Sequence, residues 1–311
     1  MRRFLPDDEI PGDAKGAAIA LGNFDGVHLG HQGVIAAVRA VARDRGLKLG
    51  AAAFEPHPRR LFHPDAPPFR LQTRDQRARC LEALGVELLF KIRFDRALSQ
   101  MTDFEFCERV LHQHLGAAHV AVGFDFRYGR GRMGDVESLT RHGQKLGFTV
   151  SVVNPIEGGP ASAKVSSTAV RTAIAKGDVG DAARMLGRPW AIEGVVRRGF
   201  ARGREMGIPT ANIDLDDYVR PRFGIYAVRA DLGDGVKRPG VASIGVHPTV
   251  GALPEPVLEV HLFDFDGHLY DATIEVELIK FLRDEETYES VEAMMKQIDE
   301  DVRQARALLR A

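Results

Sequence analysis

Gly22-Asn23-Phe24-Asp25-Gly26-Val27-His28-Leu29-Gly30-His31-Gln32 decides the fold of the first half of the chain. It follows a short apolar run at 17–21 and leads into a helical pattern through 34–42. A glycine-bearing turn between a strand and a helix leaves backbone N–H groups and the positive end of the helix dipole facing an anion. His28 and His31 are three apart, so near a helix start their rings share a face. Two imidazoles there can donate hydrogen bonds to phosphoryl oxygens as charge grows in a transition state. Two plainer readings stay open, a zinc pair and two structural histidines. Zinc needs further ligands at suitable spacing, and there is no HExxH.

Outward from this stretch, apolar runs at 49–54, 86–92, 119–123 and 148–153 alternate with helical patterns at 30–45, 75–84, 102–115 and 136–145. That alternation predicts a mainly parallel sheet covered on both faces, with ligands at the carboxyl ends of its strands. A hydroxyl-rich, basic cluster, Lys164-Val165-Ser166-Ser167-Thr168-Ala169-Val170-Arg171, opens a further helix. Alone it reads as helix capping; beside a phosphate site it becomes a clamp for a polyphosphate tail.

Beyond residue 187 the texture changes. Extended runs at 191–196, 225–232, 241–245, 258–263 and 273–281 are separated by Gly, Pro and Asp, which predicts an antiparallel barrel or sandwich. Asp266-Gly267 reads as a hairpin turn, and residues 290–309, capped by Ser290, as a packing helix. Arg188-Pro189 is the natural boundary, giving domains at 1–187 and 188–311. A length of 311 residues fits two domains at roughly 150 residues each.

Composition excludes several classes. The chain is 44% hydrophobic and 27% charged, ordinary for a folded protein. A net charge of −1 gives no basic field for nucleic acid or an anionic membrane, so any anion site is local. Cys80 and Cys107 are the only cysteines and form no CxxC, which argues against a disulfide scaffold and for a reducing, cytoplasmic setting. No export signal or membrane span is read, and the expected oligomeric state is a monomer or weak homo-oligomer.

GNFDGVHLGHQ together with VSSTAVR resembles the HxGH nucleotidyltransferase superfamily, and within it the FMN adenylyltransferase (FAD synthetase) module of bacterial bifunctional riboflavin biosynthesis proteins. FEPHPRR (54–60), FRLQT (69–73) and VGFDFRYGRGRMGD (122–135) agree in order. The resemblance implies a Rossmann-like α/β domain that joins FMN to the α-phosphate of MgATP. By motif match His28 and His31 contact the ATP phosphates as catalytic groups. Gly22, Asn23, Phe24, Asp25 and Gly30 line the nucleotide loop, and Ser166, Ser167, Thr168 and Arg171 hold the β and γ phosphates. Pro56, His57, Pro58 and Asp125 fall on the flavin side.

No Walker motif GxxxxGK[ST] occurs. Instead a basic loop containing Gly199, Ala201, Arg202, Gly203, Arg204 and Gly207 precedes Ile208-Pro209-Thr210-Ala211-Asn212. Glycines there let backbone approach phosphates closely. Gly207 to Asn212 resembles the GxPTAN signature of riboflavin kinases, with FGIYAV (223–228), IGVHPTVG (244–251), LEVHLFDFDGHLYD (258–271) and FLRDEETYESVEA (281–293) in support. This implies a six-stranded Greek-key barrel with a C-terminal helix, in which Gly199, Arg202, Gly203 and Gly207 bind ATP and Thr210 and Asn212 ligate Mg²⁺. Glu259 becomes the base for the ribityl hydroxyl, and Arg283 lies near the flavin. Without the motif, Glu259 reads as an outward strand carboxylate, since it alternates with Leu258 and Val260. Ala201, Ser243 and His247 depart from the family pattern.

Both resemblances imply one enzyme of flavin cofactor synthesis, with riboflavin, ATP and Mg²⁺ going in and FMN and FAD coming out, and with no nucleic acid or membrane partner. A phosphopantetheine adenylyltransferase would leave residues 190–311 unexplained, and a flavin-binding protein with a decayed barrel would not need Thr210, Asn212 and Glu259 together. Gly129 to Gly134 also fits GxGxxG, but five residues separate it from the preceding strand, which argues against a dinucleotide site.

Overall fold

The computed structural model describes residues 1–156, 164–197, 209–246 and 255–310. Packing divides them into two units: residues 1–67 with 74–166, and residues 68–73 with 167–311. Helices at 167–186 and the short segment 68–73 therefore pack with the second unit, although both lie before residue 188.

The first unit is built on a parallel sheet ordered β1-β4-β3-β2-β5-β6, comprising β1 (Arg2–Phe4), β2 (Ala18–Leu21), β3 (Leu49–Glu55), β4 (Leu88–Arg93), β5 (His119–Gly123) and β6 (Thr149–Val153). The helices are α1 (Leu29–Arg45), α2 (Pro58–Phe62), α3 (Arg74–Ala83), α4 (Arg96–Gln100), α5 (Asp103–Glu105, continuing as a π-helix over Phe106–His114) and α6 (Val136–Leu146). All of β2 and β3 is buried, as expected for strands covered on both faces. Side-chain alternation sorts Ile19, Leu21, Ala52 and Phe54 into one core and Ala18, Ala20, Ala51 and Ala53 into the other. The second core takes Val34, Ile35, Val38 and Ala42 from α1. That helix ends at Gly46, whose φ of 63° is the left-handed cap conformation.

The expected α/β architecture is what forms. Strand β1 was not expected: only three residues long and opening Arg-Arg, it is held by Phe4, which stacks on Phe90 of β4 at 5.2 Å. Both cysteines lie on helices. Cys80 is half-buried, and burial pushes the Cys107 thiol up to about 11, which leaves it a packing group.

The second unit holds α7 (Ser167–Lys176), α8 (Val179–Leu186) and an antiparallel sheet ordered β7-β12-β9-β10-β11-β8. Its strands are β7 (Trp190–Val195), β8 (Ala211–Asp214), β9 (Gly224–Asp231), β10 (Lys237–Val246), β11 (Pro256–Leu262) and β12 (Thr273–Arg283). An Arg197–Asn212 bridge brings its first and last strands together, so the sheet is a nearly closed barrel. Gly194 permits this closure, because a Cβ there would stand 2.4 Å from Ile213. The C-terminal helix α9 (Val291–Leu309), capped by Ser290, covers Ile225, Ala227 and Val241 with Val302, Ala305 and Leu309.

One turn differs from expectation. Strands β11 and β12 are not neighbours, so Asp266-Gly267 closes no two-residue hairpin; residues 263–272 cross instead to the other side of the sheet. Positive φ falls on Asp264 (54°) and Asp271 (64°). Asp264 accepts two hydrogen bonds from Arg306 of α9, at 2.7 and 2.8 Å. Sheet topology overrides the local turn preference.

His119 begins β5 buried, with Nδ1 2.8 Å from Thr149 Oγ1. Arg45 donates to the same hydroxyl at 3.0 Å. Burial first, and the Arg45 charge second, hold this imidazole below its usual value of 6.5. The folded state therefore binds fewer protons than the unfolded state as pH falls below that value, and stability drops with it. Between about pH 7.5 and about pH 5.5 the wild-type Tm should fall more than that of His119→Gln. Circular dichroism melts test this, and equal slopes would exclude His119 as a source of acid lability.

Candidate functional site

In the first unit the chain passes from β2 outward to β3 and β4, then returns to β5 on the other flank of β2. This topological switch point opens a crevice beyond the carboxyl ends of the strands. Residues 22–28 leave β2 there and Phe124-Asp125 leave β5, while Pro56-His57-Pro58 follow β3 on the same edge.

The loop after β2 is tightly held. Phe24 and Val27 adopt left-handed φ values of 53° and 42°, unusual for bulky residues and typical of functional turns. Asp25 is buried. The Asn23 carbonyl accepts from Arg77 Nη1 at 3.3 Å, and the buried Asn23 Oδ1 has no hydrogen-bond partner among the described residues. A buried acceptor in this state calls for a donor from a ligand or water.

His28 is the N-cap of α1, and its Nδ1 accepts the His31 backbone N–H at 3.3 Å. A ring accepting at Nδ1 carries its proton on Nε2 when neutral, as a donor. The two imidazoles stack with centroids 3.7 Å apart and planes 18° from parallel, while Phe24 meets His31 edge-on at 5.3 Å. Gly30 makes room: a Cβ would lie 3.1 Å from the His28 ring and 3.5 Å from the Val165 carbonyl. The Val165 backbone thus borders the first turn that carries the histidine pair. Lys164 pairs with Asp125, and its ammonium stands 4.4 Å above the Phe124 ring. Of the other flavin-side candidates, His57 caps α2 by accepting from Arg59 N–H at 3.2 Å, with Pro58 as the first helical residue.

Ser167, Thr168 and Arg171 lie on α7 in the second unit, Ser167 and Thr168 in its first turn. The Arg171 Nε donates to the Phe69 carbonyl at 2.6 Å.

In the barrel, Leu258 and Val260 are buried inside, so Glu259 points outward. The register of β11 sets Glu259 directly opposite Asn212 of β8, and on its other side opposite Ser243 of β10. Facing residues of an antiparallel pair share a face with Cβ atoms roughly 5 Å apart. An outward, half-buried Glu259 and a paired site role are therefore compatible. His261, two residues on and on the same face, bonds through Nδ1 to the Pro209 carbonyl at 3.0 Å, securing the backbone just before Thr210. The Thr210 carbonyl accepts from Asn212 Nδ2 at 3.5 Å. Arg283 is engaged by Asp301 of α9 through Nε at 2.9 Å and Nη2 at 2.7 Å, and that carboxylate holds the guanidinium above its usual range. The bidentate pair fastens α9 to the end of β12. Gly199, Ala201, Arg202, Gly203, Arg204, Gly207 and His247 lie outside the described residues.

Sequence reasoning missed Arg77, Glu55 and His261. Arg77 and Glu55 are both buried and joined at 2.7 Å. Arg77 sits with Gln76, Ala78 and Leu81 on the inward face of α3, so a cation at an inward helical position was the available signal.

A glycine turn with paired imidazoles at the switch point, and a barrel with facing Asn and Glu, suit a two-unit enzyme that handles phosphorylated ligands. Residues 10–169 match the family model of FAD synthetase, and residues 186–309 that of riboflavin kinase. The bifunctional riboflavin kinase/FMN adenylyltransferase of Pseudomonas fluorescens is 41% identical over 294 residues, covering 94% of this chain and 93% of that one. The protein of the same description from Escherichia coli strain K12 is 40% identical, covering 94% and 92%. The chain belongs to the bifunctional riboflavin kinase/FMN adenylyltransferase family. Among solved structures, a macrolide-efflux protein from Streptococcus pneumoniae is similar, with a TM-score of 0.83, 31% identity and 92% of each chain covered. Efflux is the role named for that protein; here, among the described residues, no helix is long and apolar enough to cross a membrane.

Replacing Arg77 with Met removes one of the two guanidiniums that meet the buried Glu55 carboxylate, leaving Arg74 at 2.7 Å, and frees the Asn23 loop. The expected loss is about 2 kcal/mol of stability, that of a hydrogen bond to a charged group where a second cation remains. Adding Glu55→Gln to Arg77→Met should recover part of it in urea unfolding. A double variant no more stable than the single one would show that the pair does not hold the loop.

Proposed function

We propose that the first half of the chain adenylylates FMN to FAD and the barrel phosphorylates riboflavin to FMN. Two juxtapositions carry this reading jointly: the stacked His28–His31 pair at the start of α1, and Asn212 facing Glu259 across β8 and β11.

In adenylyl transfer the FMN phosphate attacks the α-phosphorus of ATP and pyrophosphate leaves. No protein nucleophile takes part; the protein aligns two anions and stabilises the charge that develops between them. Donors for that charge are His28 and His31 with the N–H groups of the first turn of α1. Gly22, Asn23, Phe24, Asp25 and Gly30 shape the nucleotide loop, and Ser166, Ser167, Thr168 and Arg171 take the phosphate tail. Pro56, His57, Pro58 and Asp125 belong to the flavin side, the first three following β3 and Asp125 following β5, the two neighbours of β2.

In the kinase half Glu259 accepts the proton of the ribityl 5′-hydroxyl as that oxygen attacks the γ-phosphorus of ATP. Asn212 and Thr210 are hard oxygen donors suited to Mg²⁺, which prefers few protein ligands and keeps phosphates and waters in its shell. A hydroxyl and an amide oxygen are few and hard ligands, and this chemistry is what fits Thr210 and Asn212 to the Mg²⁺ of ATP. Bound there, Mg²⁺ would neutralise charge on the triphosphate. Gly199, Arg202, Gly203 and Gly207 complete ATP binding, and Arg283 lies at the flavin edge. The free thiols suit a cytoplasmic enzyme, working as a monomer or weak homo-oligomer.

Incubation with riboflavin and MgATP, followed by chromatography, should yield FMN and then FAD. His31→Ala should slow FAD formation from FMN by on the order of 10²–10³-fold while FMN formation stays within about twofold. Asn212→Ala and Glu259→Ala should show the reverse, losing FMN formation and retaining FAD formation from supplied FMN. Riboflavin returned unchanged by the wild type would instead indicate a flavin-binding module, and loss of both activities in a folded His31 variant would refute separate sites.

A further inference from the structure

The segment Phe69-Arg70-Leu71-Gln72-Thr73 belongs to the motif string of the first half, yet it groups with the second unit. Backbone N–H groups of Phe69 and Arg70 both donate to the Asp217 carbonyl, at 3.0 and 2.8 Å, and Arg70 returns its own carbonyl to the Val219 N–H at 2.8 Å. The Leu71 carbonyl accepts the buried Trp190 indole N–H at 2.7 Å. Gln72 accepts from Arg188 at 3.3 Å, and Thr73 donates its hydroxyl to Glu193 at 2.8 Å. Every residue of the segment is thus bonded to the barrel or its approach, and each bond fixes the backbone next to it.

At its leading end stands Phe69, 2% exposed. Two interactions tie this residue to Arg171, 102 positions later: its carbonyl takes the Arg171 Nε–H at 2.6 Å, and the guanidinium carbon lies 5.5 Å from the centroid of its ring. A guanidinium is a planar fork, so fixing the Nε edge and one face sets the direction of the whole group. A ring within about 6 Å also attracts the cation electrostatically. Arg171 is on the second turn of α7, one turn after the hydroxyls of Ser167 and Thr168.

We propose that Phe69 is a positioning residue for ATP in adenylyl transfer, acting through Arg171, with residues 70–73 as the strut that holds it. This inference rests on the reading of Arg171 as a ligand of the ATP phosphate tail. An arginine already oriented by the fold loses less side-chain freedom on meeting a phosphate, so its contribution appears in ATP affinity. Nothing in this role touches the reacting phosphorus, and kcat is therefore spared.

The test is steady-state adenylyl transfer on the full chain. Phe69→Leu keeps apolar bulk but removes the aromatic face, and should raise the KM for ATP about fivefold with kcat within about twofold. Phe69→Tyr, which keeps the face, should restore the wild-type KM. Arg171→Lys keeps the charge but lacks the Nε and the planar fork; it should raise the KM by itself and abolish any further effect of Phe69→Leu. Kinase kcat measured on the same samples reports that the second unit is folded. If Arg171→Lys leaves the KM for ATP unchanged, the reading of Arg171 is wrong and the proposal falls with it. If Arg171→Lys raises the KM but Phe69→Leu does not, or if the two effects add independently, Arg171 keeps its role and Phe69 has none. A fall in kcat equal to the rise in KM, or failure of Tyr to rescue, would reduce Phe69 to a packing residue and overturn the proposal.

Discussion

The first turn of α1 presents backbone N–H groups that no acceptor within its own helix can satisfy. Parallel connections bring the carboxyl ends of all six strands of the first unit to one edge, so these donors open at the switch point beside the loops that follow β3 and β5. His28 caps one of them with Nδ1, which directs its remaining proton to Nε2. Stacking on His31 at 3.7 Å is accommodated by glycine at position 30, where a Cβ would press on the His28 ring at 3.1 Å. The left-handed conformations of Phe24 and Val27 follow from the same demand, because the chain must turn sharply from a buried strand into a helix whose start faces the crevice. Buried Arg77 and Glu55 support that turn from below. The paired imidazoles are thus a consequence of how a parallel sheet ends.

In the barrel the ordering constraint is register. Leu258 and Val260 fill the interior, and this alone forces Glu259 outward. Slipping β11 by one residue against β8 would carry Glu259 into the apolar core and turn Leu258 to the surface, so the pairing with Asn212 is protected by the same burial that stabilises the sheet. Glycines accommodate the curvature this requires. A Cβ at Gly240 would lie 2.5 Å from the His261 carbonyl, just as one at Gly194 would strike Ile213. His261 meanwhile secures Pro209 and, through it, the approach of Thr210 to the Asn212–Glu259 row.

What could be read in the sequence followed from local patterns. Strand β3, Leu-Gly-Ala-Ala-Ala-Phe-Glu, is apolar enough to declare itself, and the turn after β2 combines glycines, histidines and a helix start within eleven residues. Readings failed where distant chain decides the outcome. Arg2-Arg3-Phe4 has no strand character alone and becomes one by pairing with β4. Asp266-Gly267 carries a strong hairpin signal, overruled because the partner strands of β11 and β12 lie elsewhere in the sheet. Residues 69–73 sit between elements of the first unit yet fold with the second, and their contacts come from residues more than a hundred positions away. Of the site, motif positions were legible, whereas Arg77, Glu55 and His261 were not, since their roles depend on burial and on the facing strand.

The cations of this chain explain how triphosphate can be held without a general affinity for polyanions. Net charge is −1, and among the described residues four basic side chains near the candidate sites are tied to acceptors of the chain itself: Arg77 to Glu55, Lys164 to Asp125, Arg283 to Asp301, Arg171 to the Phe69 carbonyl. A patch of mobile, unpaired lysines and arginines would bind nucleic acid phosphates in any arrangement, with affinity set by charge count. Tethered guanidiniums, capped helix starts and imidazoles locked by stacking reward only an anion that meets several of them at once. Binding strength is then exchanged for geometric selectivity, which suits a protein whose reaction consists of aligning two phosphates.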